Sequence, residues 1–469
     1  MDSKKPAAPS ITTSPVRPHD GWRTRRKAIY VTLTTALLWL LYSPSLLDLL
    51  YPPFNDFSDL SPHCTTKSPI GPAEFTARQI ALARALHADH AIYIAEPGAN
   101  TLYYANFSHS DWKLSERPLL LLVAPAGTGD DIQANISILT PKFEATRAKL
   151  LPVPETANVS WAEDANPYEV AVSAFAAAPS TVYVDPSIRH FVVDGMQRAL
   201  PSAKVIIAPE SVRQLRERKT AAELELLKCA NEACSRAVIP DVPVVLIIPL
   251  QATLLAVRAT HKRLYAGIRE SQARTIVADA LAAIGLKDGG CLTLFGDNAA
   301  LPHGTGTDRV LGINDFALFD CTADLHGYKS DLTRTVALPG ANIPSEHRLI
   351  WDHVRDAQSA ALKTAKAGVA MRKVDEAARE SLEGTSYTPY FTHRLGHGIG
   401  LEVHEDPYLR GGNDLVIKTG HAFSDEPGVY IEGKVGVRLE DCFYVDEETG
   451  GGVLFTAGVG GQATSPWAP

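Results

Sequence analysis

The spacing of apolar and polar positions changes character several times along this 469-residue chain. Residues 28–47 carry no charge, a run of about the ~20 residues that a membrane helix needs. Between residues 72 and 211 helical and alternating patterns take turns. "EFTARQIALARALHADH" has apolar residues at helical spacing. "AIYIAE" and "LYYANF" read as strands around the turn "PGAN", and "RPLLLLVAP", "STVYVD" and "AKVIIAP" as buried strands. "DPSIRHFVVDGMQRAL" reads as a helix. Strands interleaved with helices predict a smaller α/β domain over 72–211. Residues 212–237 form a long amphipathic stretch in which Thr220 and Glu223 have the spacing of a capping box. Further helices over about 251–263, 269–284 and 345–382, followed by strand-rich segments, predict an α+β domain over 212–460.

Two of these strand-rich segments break their own pattern with carboxylates. "FALFDCTADLHGYKSDLTRTVAL" predicts a hairpin about "DLHG". With its turn centred between residues 325 and 326, Asp320 and Asp331 stand opposite each other and share a face. In "EPGVYIEGKVGVRLED", Glu426 and Glu440 are symmetric about Gly433. Like charges placed opposite each other are destabilising, and carboxylates in an apolar setting are expensive unless something neutralises them. A pair of divalent ions would neutralise four such groups. Oxygen-rich ligation suits Mn²⁺, Co²⁺, Fe²⁺ or Zn²⁺ better than a thiolate site would. Taken singly, each Asp reads more simply as a solvated or turn-capping residue.

Composition narrows the classes. A hydrophobic content of 45% and a charged content of 21% are those of a globular protein. The net charge of −8, with no basic block in the folded part, excludes nucleic acid as a partner. Residues 1–27 are Pro-, Ser-, Lys- and Arg-rich and read as a disordered basic tail. Residues 28–47 then read as a transmembrane signal-anchor and 48–71 as a linker. Lys4, Lys5, Arg17, Arg23, Arg25, Arg26 and Lys27 precede the span, whereas Asp48, Asp56 and Asp59 follow it. The positive-inside rule puts the N-terminus in the cytosol and the catalytic part in a lumen or outside. Secretion after cleavage of a signal peptide is the alternative, and a buried soluble helix a third reading. The sequons at Asn106, Asn135 and Asn158 agree with an N-glycosylated, lumenal chain. Six cysteines do not make a disulfide framework, and the sequence does not pair them.

Histidines tilt the reading toward chemistry. "THRLGHGIGLEVHEDP" holds His393, His397 and His404 between glycines that argue for close approach rather than a helix. "LPHGTGTD" adds His303 in another Gly-rich loop. A lone histidine is usually structural; several beside paired carboxylates make a metal and acid–base site the better reading.

At these residues the chain resembles the pita-bread metallopeptidases, the family of aminopeptidase P and prolidase. "DCTADLHGYKSDLTRT", "HRLGHGIGLEVHEDP", "EPGVYI" and "GVRLED" are similar to that family's joined motifs, and residues 75–210 more weakly to its creatinase-type N-terminal domain. The resemblance implies an α+β pita-bread catalytic domain after a smaller α/β domain. It implies two divalent metal ions, Mn²⁺ first among them, held by Asp320, Asp331, His397, Glu426 and Glu440. It implies hydrolysis of the bond before proline in X-Pro dipeptides or longer X-Pro-peptides. Glu426 is then the general base, His404 and His393 stabilise the intermediate or carry a proton, and His303 and Arg438 face the substrate. The resemblance leaves a homodimer open. The competing readings are an inactive binding module on the same fold, and an aminopeptidase without proline preference.

Overall fold

The computed structural model describes residues 57, 60, 63–153, 156–231 and 253–469. Everything from Phe57 onward belongs to one compact unit. Its first part is a six-stranded mixed sheet of β1 (Ala91–Ala95), β2 (Leu120–Ala126), β3 (Gln133–Pro141), β4 (Ala157–Trp161), β5 (Thr181–Val184) and β6 (Lys204–Ile207), in the order β4-β3-β2-β1-β5-β6. The pairs β1–β2 and β2–β3 are antiparallel; β1–β5, β5–β6 and β3–β4 are parallel. Both faces are covered, so β1 is an unbroken apolar run. Alternate residues go to different cores. Ile92, Ile94, Leu120, Leu122, Val182 and Val184 pack on Val192 and Met196 of the helix His190–Ala199. Tyr93, Leu121 and Val123 join the main core, together with Leu82 and Leu86 of the helix Pro72–Ala88.

The second part carries three smaller sheets. β7 (Lys287–Phe295), β8 (Phe316–Leu325) and β9 (Tyr328–Ala337) form an antiparallel meander. β10 (Gly396–Gly398), β11 (Glu405–Leu409), β12 (Ala422–Asp425), β15 (Asp441–Val445) and β16 (Gly452–Leu454) form a sheet in the order β11-β10-β12-β15-β16. Between β12 and β15 in the chain, β13 (Gly428–Ile431) and β14 (Val435–Arg438) make a two-stranded hairpin. The helices Ala221–Asn231, Thr253–His261, Glu270–Ala283, Ser345–Thr364 and Met371–Glu380 complete this part. Thr220 and Glu223 form the expected capping box, with bonds of 3.0 and 3.3 Å in the two directions. Arg334, fully buried, stitches the meander to the larger sheet through Asp441 at 2.9 Å and the Glu440 carbonyl at 2.7 Å.

Several expectations are corrected. "LYYANF" is not a strand: Ala99–Ala105 is a helix. Thr101 bonds the backbone of Gly98 at its start, and Thr101, Tyr103, Tyr104 and Ala105 are all buried. The helical stretch over 212–237 is interrupted before Ala221. The expected single N-terminal membrane helix is not part of the described fold. Among the described residues no helix is long and apolar enough to cross a membrane, and residues 28–47 lie outside them. The longest described helix, Ser345–Thr364, carries Glu346, Arg348, Asp352, Arg355 and Asp356, charges that a lipid core would not accept. The lumenal or extracellular placement of the catalytic part and the cytosolic N-terminus rested on that span and fall with it. Asn106 closes the Ala99–Ala105 helix in a left-handed conformation and donates to the Pro152 carbonyl at 3.1 Å.

Candidate metal and acid–base site

The β8–β9 hairpin turns on two residues, His326 and Gly327, both at positive φ (53° and 92°), the geometry a tight right-twisted hairpin favours. Its register pairs Leu325 with Tyr328, so Asp320 stands opposite Thr333 and Asp331 opposite Thr322. The two aspartates are therefore diagonal rather than directly opposed. The shift from the expected register is an even number of residues, so both still face one way. Glu426 and Glu440 do follow the expected symmetry. Asp425 pairs with Asp441 on one side of them and Gly428 with Arg438 on the other, leaving the glutamates at the corner where the two ladders part. Glu440 is fixed there by its N–H to the Thr333 carbonyl (3.1 Å) and Glu426 by its N–H to the Leu395 carbonyl (3.0 Å). Asp425, one residue on, is buried away from these groups without a hydrogen-bond partner for either oxygen.

The glycines around His397 have a backbone reason. β10 lies between β11 and β12; a Cβ on Gly396 would come 2.1 Å from the Ser424 carbonyl oxygen, and one on Gly398 would meet the Glu405 and Asp406 carbonyls at 2.6 Å. Only glycine lets β10 sit there, and that delivers His397 into the site. Its Nδ1 donates to the Gly398 carbonyl at 3.0 Å. Its Nε2 faces Glu426 Oε1 at 3.1 Å and Asp331 Oδ2 at 3.5 Å. With Nδ1 committed to a carbonyl, Nε2 either carries a second proton or presents a lone pair to a cation.

Around His397 the acids converge. Ligand atoms of Asp320, Asp331 and Glu440, of His397, Glu426 and Glu440, and of Asp331, His397 and His404 lie within 4.8 Å of one another in each group. Burial, then Asp320 and Glu426, pushes Asp331 well above the carboxylate range. Burial, then Asp331, Glu426 and Asp320, does the same to Glu440. Glu426 goes the other way: burial raises it, but the His397 hydrogen bond and the charges of His397, His393 and Arg438 hold it at about 2. Glu440 Oε1 is buried with no partner, while Oε2 accepts from Thr333 Oγ1 at 2.7 Å. Four carboxyl groups thus converge on the His397 ring, with Arg438 reaching Asp320 at 2.5 Å. The donor set fits hard or borderline divalent ions.

The remaining predicted residues surround this centre. His404 is exposed at its edge, its ring 4.2 Å from that of His397. Partial burial, then the positive charge of His397 and Arg394, lowers its pKa to about 4, so its imidazole is neutral at pH 7. His303 is exposed, close enough to His404 to contribute to that shift. His393 is held away from the acids, Nδ1 to the Arg394 carbonyl (2.7 Å) and Nε2 to the Tyr430 hydroxyl (2.9 Å). Arg438 spends its donors on Asp320, Tyr430, Thr333 and the Pro302 carbonyl. A cavity of about 220 Å³ opens beside His404, lined in part by Asn100, Asp185, Glu217 and Tyr408.

Comparison with known proteins bears on this arrangement. Residues 250–447 match the model of metallopeptidase family M24. An uncharacterized peptidase of Schizosaccharomyces pombe is 32% identical over 405 residues, covering 84% of this chain and 83% of that protein. The chain belongs to metallopeptidase family M24. Its matches are peptidases by name, and the chain is a metallopeptidase. An Xaa-Pro dipeptidase of Lactobacillus helveticus is 46% identical over 154 residues, 33% of this chain and 41% of that one. The crystal structure of dipeptidase PepE from Mycobacterium ulcerans superposes with a TM-score of 0.69 at 29% identity, covering 83% of this chain and 97% of that one. The pita-bread fold expected from the motifs is the M24 fold that this likeness supports.

The sequence reading missed three supporting residues. Tyr430 links Arg438 to His393, Thr333 supports Glu440, and Arg334 holds the Glu440 carbonyl. All three stand inside the quoted motifs: Thr333 is two and Arg334 three residues from Asp331, and Tyr430 is four from Glu426. Alternation on β9 would have put Thr333 on the Asp331 face.

Proposed function

We propose that this M24 peptidase hydrolyses the peptide bond before proline, with two divalent ions held by Asp320, Asp331, His397, Glu426 and Glu440. The observation that carries the reading is a buried cluster of four carboxylates around one histidine nitrogen, short of positive charge and with the Glu440 Oε1 unpaired. Divalent ions bound there supply Lewis acidity and a lowered water pKa. The chain's own groups do the rest. Glu426, ionised and aimed at the centre, takes the proton of the attacking water and returns it to the leaving secondary-amine nitrogen of proline. Neutral His404, at the rim, donates a hydrogen bond to the oxygen that gains charge as the carbonyl becomes tetrahedral. His393 fixes Tyr430 and the Arg438 side chain, and through them Asp320. His303, one residue from the Pro302 carbonyl that Arg438 holds, faces the entering substrate. Preference for dipeptides is supported by the names of the Lactobacillus helveticus Xaa-Pro dipeptidase and the Mycobacterium ulcerans dipeptidase, and preference for proline by the first of these.

The test is removal and return of metal. After dialysis against a chelator, hydrolysis of Gly-Pro is expected to fall by at least a hundredfold and to return with Mn²⁺. The unfolding temperature should drop with it, since the acids lose their counter-charge. Undiminished hydrolysis in protein shown metal-free by elemental analysis would sink the metal assignment. Equal turnover of Gly-Ala and Gly-Pro would sink the proline preference.

A further inference from the structure

We infer that Arg394 binds a carboxylate of the substrate beside His404 and so sets which X-Pro substrates the enzyme prefers; the inference rests on the peptidase reading above. Arg213 and Arg216 line the cavity beside His404 and are paired with Asp406 and with Glu402 and Glu405; two further guanidinium groups, Arg438 and Arg394, stand on the other side of His404. Arg438 is saturated: it serves Asp320, Tyr430, Thr333 and the Pro302 carbonyl. Arg394 is not. Among the described residues its guanidinium has no ion pair and no hydrogen bond, and its Nε is buried without a partner. The side chain is half-buried, and the Tyr408 ring lies 4.7 Å from the guanidinium carbon. Stacking on an aromatic face leaves all five N–H donors unused. A partly desolvated guanidinium without a counter-charge is unusual in a folded protein. A planar fork of donors matches a carboxylate in bidentate fashion.

Its position is prepared. On one side, Arg379 holds the His393 and Phe391 carbonyls at 2.6 and 3.0 Å. On the other, the Leu395 N–H is fixed to Asp375 Oδ1 at 3.0 Å, and Asp375 is paired with Arg379 at 2.8 Å. The backbone that carries Arg394 is thus clamped immediately before and after it. Tyr408 belongs to β11, opposite His397 in the ladder. Tyr408 and His404 both line one cavity, which opens next to the edge of the acid cluster at His404. A preorganised cation at this place loses little entropy on binding an anion. An X-Pro substrate carries a carboxylate in one of two ways: as the C-terminal carboxylate of a dipeptide, or as an acidic side chain on the residue before proline.

The experiment compares wild type with Arg394→Gln and Arg394→Lys on Ala-Pro, Ala-Pro-amide and Asp-Pro-amide. Arg394→Gln is expected to raise KM roughly ten- to a hundredfold for the substrate whose carboxylate it binds, with kcat nearly unchanged. Arg394→Lys should recover part of that loss. A loss confined to Ala-Pro assigns the C-terminal carboxylate; one confined to Asp-Pro-amide assigns the side chain. Equal changes for all three substrates, or none for either carboxylate-bearing one, would overturn the inference. Calorimetry reads the same preference without turnover, as wild type against Arg394→Gln binding proline and prolinamide, and aspartate and alanine. Wild type that hydrolyses none of the three substrates would defeat the X-Pro reading, while the calorimetry would still decide the role of Arg394.

Discussion

Glu217 is 7% exposed, and His421 Nε2 lies 3.9 Å from its carboxyl. Burial first, then Asp406, pushes its pKa up to about 7 against the opposing charge of Lys219. His421 is displaced the other way: burial, then Lys219, Lys418 and Arg218, pushes it down to about 3. The Lys418 N–H donates to its Nδ1 at 3.3 Å, which leaves the neutral ring's proton on Nε2, toward Glu217. The signs are opposite. The folded chain keeps Glu217 protonated where the unfolded chain has already ionised it, so this contribution is intact below about pH 4.5 and is lost as pH rises to about 7. The His421 contribution is intact above about pH 6.5 and is lost as pH falls toward 3. Glu217→Gln removes only the first. The variant should match wild type below about pH 4.5, gain relative stability up to about pH 7 and hold about 3 kcal/mol above it. Denaturant midpoints from pH 4 to 8 measure this; a gain independent of pH would show that Glu217 does not titrate in the folded state. None of this was legible in the sequence, where Glu217 is one charge in the run "RERK" and its partner lies far along the chain.

At the scale of elements, the β13–β14 hairpin is placed by backbone contact. A Cβ on Gly436 would lie 1.7 Å from the Ala299 carbonyl oxygen, so β14 and the turn Gly296–Ala300 touch without an intervening side chain. Gly436→Ala must push them apart. A loss of about 3 kcal/mol is expected in denaturant unfolding, as for an overpacked core. The turn leads to Pro302, which Arg438 holds, so KM should rise too. Wild-type stability in this variant would mean the hairpin moves freely, contrary to the packing described. The same closeness explains what the sequence did and did not reveal. Glu426 and Glu440 could be paired because "EGKVG" sits symmetrically between them. Asp320 and Asp331 were assigned to one face correctly but to the wrong partners, because the turn is His326-Gly327 and its centre depends on backbone angles. β3 and β4 were overlooked because their outer positions are exposed: Gln133, Asn135, Ala157, Asn158 and Ser160 offer no apolar run. "LYYANF" went the other way, since three aromatics in a short window look alike on a strand and on a buried helix.

Across the whole molecule, one buried polar knot joins the parts on either side of residue 212. Arg78 of the Pro72–Ala88 helix reaches Glu74 at 2.6 Å, Tyr328 at 3.1 Å, the Tyr103 carbonyl at 3.2 Å and Glu223 at 3.4 Å. Tyr328 in turn donates to Glu223 at 2.9 Å. Arg78 is 5% and Glu223 1% exposed, so neither can turn to water. Arg78→Met strands the Glu223 carboxylate and should destabilise the fold by about 3–5 kcal/mol. Adding Glu223→Gln should recover a substantial part. A single mutant as stable as wild type, by chemical denaturation, would mean that water reaches Glu223 and that the knot is not dry. The apolar core is also shared, since Tyr93 and Leu121 of the first sheet pack in the same cluster as Phe319 and Phe443.

The acids that meet around His397 come from distant stretches of chain: a hairpin at 320–331, a glycine-lined strand at 396–398 and a corner at 426–440. A chain still on the ribosome, with Glu440 not yet added, presents only partial chelates with loosely spaced oxygens. Any ion that all of these residues hold together must therefore be captured after synthesis has passed Glu440 and the sheets have closed. Metal supply in the cell would then act on the finished fold and not on the growing chain.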